Sequence, residues 1–321
     1  MNKFKKIGLT ALAGSLVATS AFAGAMSVSG GASMAVEHIN GAAASGGKSF
    51  YMGNQLTFTG SGELDNGLNV SLSFVIDQGD DTSDATTTAP FDSHSVTVSS
   101  DSLGSLTFHG EGGSTAVNAI DGSAAGGMWD NFQAAADEPK GSKGSDDMVA
   151  YALPSIMDGL ALTASYTPNG IGFGGADAST SFAAVYTGME GLTVKYGVGE
   201  DNSATTTADV DAWHISYAYG PITVTATDVE YDHTTDTSDR SMDSQAISYT
   251  LSDEISFTYG QETITDGASG AVDAEFDGFS ASYTSGGMTI KAVAQDAANH
   301  SYTTATAEDN TYWALSASFA F

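Results

Sequence analysis

The sequence predicts an all-β protein, a sixteen-stranded antiparallel transmembrane β-barrel. Three observations carry that expectation. Apolar and polar residues alternate with period two along most of the chain, helical periodicity is nearly absent after residue 24, and the connections between alternating runs are short and long by turns. The alternation is clearest in the first hairpin. Leu56, Phe58, Gly60 and Leu64 share one face against Gln55, Thr57, Thr59, Ser61 and Glu63 on the other. After Asp65-Asn66-Gly67 the pattern restarts as Leu68, Val70, Leu72, Phe74 and Ile76. Asn-Gly between two alternating runs is a strong hairpin signal, because both turn residues tolerate positive φ.

Continued along the chain, the pattern places strands near 25–38, 50–64, 68–78, 92–99, 105–111, 147–154, 160–167, 180–188, 192–199, 211–219, 222–231, 243–251, 255–262, 274–284, 288–296 and 311–321. Every second connection is short, as at 65–67, 189–191, 220–221 and 285–287. The others are long, the longest being 112–146 between the fifth and sixth strands. In an antiparallel meander this puts all short turns on one rim and all long loops on the other, the layout of outer-membrane barrels.

Charge placement agrees. The 321 residues include 39 acids against 9 bases, a formal net charge of −30, yet only 15% of residues are charged. The acids gather in the long loops and at the strand ends beside them, leaving strand middles almost uncharged. A charge at mid-bilayer on the lipid face costs about 2–4 kcal/mol for Arg or Lys, whereas the outer strands of a soluble sandwich carry charge freely. The acidity also argues against nucleic acid and anionic lipid surfaces as partners, since both repel it. With 0 cysteines, disulfide frameworks, thiolate metal sites and cysteine nucleophiles are excluded. The 41% hydrophobic content, with aromatics spread along the chain, argues against disorder.

Residues 1–23 read as a cleaved secretory leader. Lys3, Lys5 and Lys6 form the basic start, Ile7 to Val17 an apolar stretch too short to span a membrane, and Ala21-Phe22-Ala23 the small-residue cleavage site. No later run reaches the ~18 consecutive apolar residues of a transmembrane helix. The domain division is therefore a signal peptide, 1–23, and one barrel, 24–321.

The last strand adds a further clue: Trp313, Leu315, Ala317, Phe319 and Phe321 form one apolar face ending at the C-terminus. Tyr166, Tyr186, Tyr217, Tyr219, Tyr249, Tyr259 and Tyr283 fall near strand ends, where interfacial aromatic girdles sit. At this point the chain resembles the general diffusion porins of Gram-negative outer membranes. The resemblance rests on the Gly62-Glu63-Leu64-Asp65-Asn66-Gly67-Leu68 hairpin and on Gly104-Ser105-Leu106-Thr107-Phe108 leading into a long third loop. It extends to Val149-Ala150-Tyr151-Ala152-Leu153-Pro154 followed by Asp158-Gly159-Leu160, and to the terminal Phe321. It implies a trimer of barrels in the outer membrane, a third loop folded inward to narrow the pore, and a Phe321 read by the barrel-assembly machinery. One departure stands out. Arg240 is the only arginine and falls in a predicted outer loop, so the wall arginines that many family members set against loop acids have no counterpart.

Sixteen strands leave an aqueous channel where about eight would fill their own interior. Parity places Glu37, Glu63, Asp77, His109, Glu111, Lys195, His214 and Lys291 on the lumen wall. The third loop brings Asp121, Asp130, Asp137, Glu138, Asp146 and Asp147, offset by Lys140 and Lys143. Such a lumen should prefer cations and pass small hydrophilic solutes passively. Lys195 and Lys291, mid-strand on the polar face, read either as solvated lumen residues or as bases that face the loop acids across the constriction. Enzymatic readings are weak. None of His38, His94, His109, His214, His233 and His300 has metal-ligand spacing with another, there is no G-x-S-x-G elbow, and Gly46-Gly47-Lys48-Ser49 lacks the P-loop spacing. No cofactor is expected. Acid-rich loops such as Gly79-Asp80-Asp81-Thr82-Ser83-Asp84 are candidates for structural Ca²⁺ or Mg²⁺, which take oxygen ligands. The competing reading is a secreted β-rich adhesin or surface-layer protein. It would use the same alternation in a sandwich or solenoid and would be recovered folded without detergent.

Overall fold

The alternating runs become strands that pair only with their sequence neighbours until the last closes on the first. The structure, a computed structural model, describes residues 26–40, 48–77, 91–120, 122–132, 146–168, 178–202, 207–304 and 309–321. Within them lie β1 (Met26–Asn40), β2 (Lys48–Glu63), β3 (Asn69–Asp77), β4 (Phe91–Ser100), β5 (Gly104–Glu111), β6 (Met148–Ala152), β7 (Leu160–Thr167) and β8 (Ser179–Met189). The second half holds β9 (Leu192–Asn202), β10 (Thr207–Tyr219), β11 (Ile222–His233), β12 (Arg240–Thr250), β13 (Ile255–Asp266), β14 (Ala274–Ser285), β15 (Met288–Ala298) and β16 (Asn310–Ala320). All neighbours are antiparallel, and β1 pairs with β16 to close the barrel. Closure removes the two sheet edges that an open meander would expose.

The seam is tied at both ends of one residue: Gly30 N donates to Phe321 O at 2.8 Å and Phe321 N to Gly30 O at 3.0 Å. A Cβ on Gly30 would meet the Phe321 ring at 2.6 Å, so glycine there lets the terminal ring lie across the seam. The short turns use positive φ where the chain reverses. At Gly191 (φ +73) a side chain would also strike the Ala218 carbonyl oxygen at 2.4 Å.

Register fixes two faces. One carries exposed apolar residues, including Val28, Met34, Phe108, Phe182, Ile215, Val224, Ile247, Phe279, Ile290 and Leu315. Soluble proteins rarely leave so much apolar surface bare. The other face is polar, and hydroxyls pair across it: Thr97 with Thr107 at 2.9 Å, Ser216 with Thr225 at 3.1 Å, Ser248 with Thr258 at 2.8 Å, and Ser256 with Ser282 at 2.8 Å.

The strands run further toward the long loops than alternation of apolar residues predicts. Arg240, expected in an outer loop, is the first residue of β12. It ion-pairs with Asp266 at 2.7 Å and lies 5.2 Å over the Tyr302 ring. The physical reason is that the apolar face changes character there. Asp209, Asp211, Asp228, Glu230, Asp243, Asp277 and Asp296 continue the ladder on that face with acids in place of apolar residues. Several stand opposite one another, as Asp211 does Glu230, Asp228 Asp243, and Asp277 Asp296. Like charges directly opposite destabilise a sheet pair, so runs of acids read as loop.

Candidate functional site

The hydrophobic core lies where a loop meets the wall. Residues 112–132, between β5 and β6, run along the polar face of the barrel. Val117, Ile120, Met128 and Phe132 are buried there against Val210, Ala212, Val229, Met242, Ile264 and Phe276.

The loop begins with a turn in which Asn118 N donates to Thr115 Oγ1 at 3.2 Å and Ile120 N to Val117 O at 2.8 Å. Ala116 N donates to Ser165 Oγ of β7 at 3.0 Å, and Val117 N to Ser181 Oγ of β8 at 3.4 Å. The next anchor is Ser244 of β12, whose Oγ lies 2.8 Å from Ser123 Oγ and accepts from Ala125 N at 2.8 Å. A 3-10 turn, Met128–Phe132, follows. Met128 N donates to Glu262 Oε2 of β13 at 2.7 Å, and Asn131 Nδ2 to Gln295 Oε1 of β15 at 2.9 Å. Phe132, the last described residue of this stretch, lies 5.7 Å from the Phe276 ring and 6.1 Å from that of Tyr312.

Three strand-interior glycines let this segment approach the wall backbone. A Cβ on Gly197 would lie 3.1 Å from Val117 Cγ2, one on Gly260 2.7 Å from Ala125 Cβ, and one on Gly278 2.8 Å from Met128 Sδ. Glu262, 1% exposed, is the carboxylate buried beneath the loop. An ionised carboxylate accepting a backbone N–H makes a charge-assisted bond, roughly twice as strong as a neutral one.

The residues expected on the lumen wall fall largely on the polar face. Glu37 accepts from Tyr312 Oη at 2.9 Å. Asp77 stands opposite Gln55, His109 opposite Ser95 and Met148, Lys195 opposite His214, and Lys291 opposite Ser282 and Ser316. His214 Nδ1 lies 2.8 Å from Thr227 Oγ1. Glu63, paired with Asn69 beside a short turn, is far along the wall from the loop. A register shift at His94/Ser95 sets Glu111 opposite His94, so simple parity from His109 does not carry through to it. Asp130 is exposed on the 3-10 turn, and Asp146 Oδ1 accepts from Gly112 N at 3.2 Å. Asp121, Asp137, Glu138, Lys140, Lys143 and the acidic run at 79–84 lie outside the described residues, as does the leader.

The anchors themselves were not singled out by sequence reasoning. Glu262 and the glycines did carry a signal, since an acid and three residues without side chains occupy polar-face positions inside strands. Tyr51, Tyr231 and Tyr312 also lie on this face. Tyr51 stands opposite Ala35, and Tyr312 opposite Gln295.

A closed antiparallel barrel with the loop after β5 packed on its polar face is now the architecture to compare. A family model described as Gram-negative porin matches residues 8–321. The chain belongs to the Gram-negative porin family. Among solved structures this porin is similar to a multiply substituted Rhodopseudomonas blastica porin, with a TM-score of 0.68 and 13% identity over 92% of this chain and 100% of that one. A tryptophan-substituted variant of the same porin gives a TM-score of 0.67 at 14% identity, with the same coverage. Likeness at that identity speaks for the fold. No curated protein matches the chain.

Proposed function

We propose that this porin forms a water-filled outer-membrane channel through which small hydrophilic solutes and ions diffuse passively, with cations preferred, and that residues 112–132 lie inside it as the constriction. One observation carries the reading: the loop's bonds reach from Ser165 of β7 to Gln295 of β15. With strands about 4.8 Å apart and tilted about 40°, eight strand steps make an arc of roughly 50 Å along the wall and more outside it. The fifteen residue steps from Ala116 to Asn131 span about 50 Å only when fully extended. Here they include a turn and a 3-10 stretch, which rises only ~2 Å per residue. The path fits inside the barrel, where the arc shortens to about 30 Å.

The open passage then lies between this loop and the polar face of β1–β5. Gln55, Thr57, Ser73, Ser95, Thr97 and Thr107 line that face, hydroxyls and amides that suit solutes of either hydrogen-bonding sense. Among the described residues of the polar face and the loop, Glu37, Asp77 and Asp130 stand against Lys195 and Lys291. The acid ladder of β9–β15 adds a negative potential at the long-loop rim.

The apolar face supports an oligomer on β1–β3. On β1 it runs unbroken from Met26 to Val36, whereas on β10 it stops at Trp213, with Asp211 next on that face. Gly60 and Gly62 permit close approach, in keeping with the trimers of the family. Phe321 at the seam suits recognition by the assembly machinery, and the leader suits export.

The test is a planar bilayer with purified protein under a KCl gradient. The zero-current potential is expected to take the sign of cation selectivity and to shrink in molar salt, where the screening length falls to about 3 Å. An anion-selective sign would refute the preference, and absence of conductance the channel.

A further inference from the structure

We propose that residues 299–304 are a latched lid: folded into the long-loop mouth of the barrel, they keep solutes off its β13–β16 side, and Arg240 holds them there. The inference rests on the channel reading and adds to it a positioning residue for the route of entry.

That side of the mouth is covered. Ile264, Ala274, Ala297 and Asn310 lie on the polar face, each one position nearer the long loops than Glu262, Phe276, Gln295 and Tyr312. The constriction loop touches the latter four. A mouth open to water would expose the former, yet all four are buried. Tyr302 is buried in the same apolar cluster, and Ala271 packs against it.

The path of the segment explains the cover. Tyr302 comes four residues after the end of β15, yet its ring lies 5.2 Å from the guanidinium of Arg240, the first residue of β12. The two strands are three steps apart around the barrel, about 14 Å at ordinary sheet spacing. The segment therefore runs back over the ends of β14 and β13. Positive φ at Asn299 (+54) and Tyr302 (+60) turns it. Left-handed backbone is uncommon for a bulky residue and persists where its surroundings over-determine it. Here Tyr302 O accepts from Val272 N at 3.1 Å, Asn299 Nδ2 donates to Asp273 O at 3.3 Å, and Asn310 Nδ2 lies 3.2 Å from His300 Nδ1.

Arg240 stands where three loops meet. Its Nη1 is 2.7 Å from Asp266 Oδ2 and donates to Asp239 O at 3.3 Å. The same Asp239 carbonyl accepts from Gly267 N at 3.0 Å, and Asp266 Oδ1 from Ala268 N at 2.7 Å. The guanidinium thus ties the loops after β11 and β13 through its edge and offers its face to the tyrosine of the loop after β15. A planar cation suits this double contact, pairing with a carboxylate while stacking on a ring.

The experiment uses the full-length porin in phosphatidylcholine vesicles. Ala297→Cys supplies a thiol in a chain that has 0 cysteines. The probe is a small neutral methanethiosulfonate, uncharged so that removing the arginine does not itself change its local concentration. Modification is expected to be slow in Ala297→Cys alone. Adding Arg240→Ala or Tyr302→Ala should speed it about tenfold, through loss of the ion pair and ring contact or of the ring contact. Tyr302→Phe keeps the ring and should leave the rate unchanged. The control is Ala212→Cys, buried beneath the constriction loop, whose rate should be the same with and without Arg240→Ala. Fast modification of Ala297→Cys in the otherwise native chain, or no acceleration in either opened variant, would overturn the lid. Equal acceleration at positions 297 and 212 would overturn the latch, since general loosening then accounts for it. If Arg240→Ala does not assemble, Tyr302→Ala reads the same contact without leaving Asp266 unpaired. Glucose entry into vesicles holding the unsubstituted porin is measured separately. Impermeable vesicles would remove the channel reading, while the modification rates still decide whether the segment is held.

Discussion

Replacing Glu262 by alanine is expected to unlock the loop and turn a steady channel into a flickering one. Met128 N donates to Glu262 Oε2 at 2.7 Å at a site where the carboxylate is 1% exposed. Water cannot readily replace that acceptor, so the truncation leaves an amide without a partner as well as a void. Loss of a hydrogen bond to a charged group costs about 1.5–3 kcal/mol, a factor of roughly 10 to 100 in the docked population of the segment. Single-channel records of Glu262→Ala should show frequent excursions between conductance levels. Glu262→Gln retains an acceptor of the same shape and should restore much of the quiet state. Equal noise in wild type and Glu262→Ala would mean that the apolar contacts of Val117, Ile120 and Phe132 hold the loop by themselves.

The second large effect comes from filling the space a glycine leaves. In Gly260→Leu the new Cβ would stand 2.7 Å from Ala125 Cβ, and the rest of the side chain would occupy the volume of the loop backbone. Ala125 is also bonded to Ser244, so the loop cannot slide without losing that contact. Overpacking of this kind costs about 1–3 kcal/mol. The loop has to give toward the passage, because the other direction is the β13 backbone. Lower single-channel conductance is expected, with a lower temperature for loss of the folded gel species. Gly60→Leu, on the opposite face where Met26 is the nearest neighbour at 3.8 Å, should leave single-channel conductance near wild type. An unchanged conductance in Gly260→Leu would place the loop away from β13 in the membrane.

These two residues also show how far the sequence could be read. The strands were legible because a transmembrane barrel repeats one constraint sixteen times, apolar outward and polar inward. A run such as Val70, Leu72, Phe74 and Ile76 cannot satisfy it in another register. The ends facing the long loops were less legible. There Asp211, Asp228 and Asp243 sit on the outward face where the apolar rule no longer holds, and a ladder of acids resembles a loop. Arg240 was misplaced for the same reason, being read with the loop although its partner Asp266 continues β13. The loop anchors escaped because each depends on what lies across the barrel. Ser165, Ser244 and Glu262 look like ordinary polar-face residues until the segment at 112–132 is laid over them. Gly197, Gly260 and Gly278 look like weak strand positions until Val117, Ala125 and Met128 fill the space beside them. Long-range contacts of that kind leave only a faint local trace, a residue too small or too polar for its neighbours.

The central claim is that residues 112–132 lie within the barrel against the β7–β15 wall. The absence of cysteine from the chain allows a direct measurement. Ser123 Oγ and Ser244 Oγ are 2.8 Å apart, so sulfurs at these positions need to close by less than about 1 Å to reach the ~2.0 Å of a disulfide bond. A Ser123→Cys, Ser244→Cys double variant, assembled in membranes and oxidised, is predicted to form an intramolecular disulfide in nearly every chain. It should keep conducting, with less current noise than wild type because the loop is now tethered. Thiols that stay reduced in a conducting channel, and that both react with a bulky water-soluble reagent, would contradict the account.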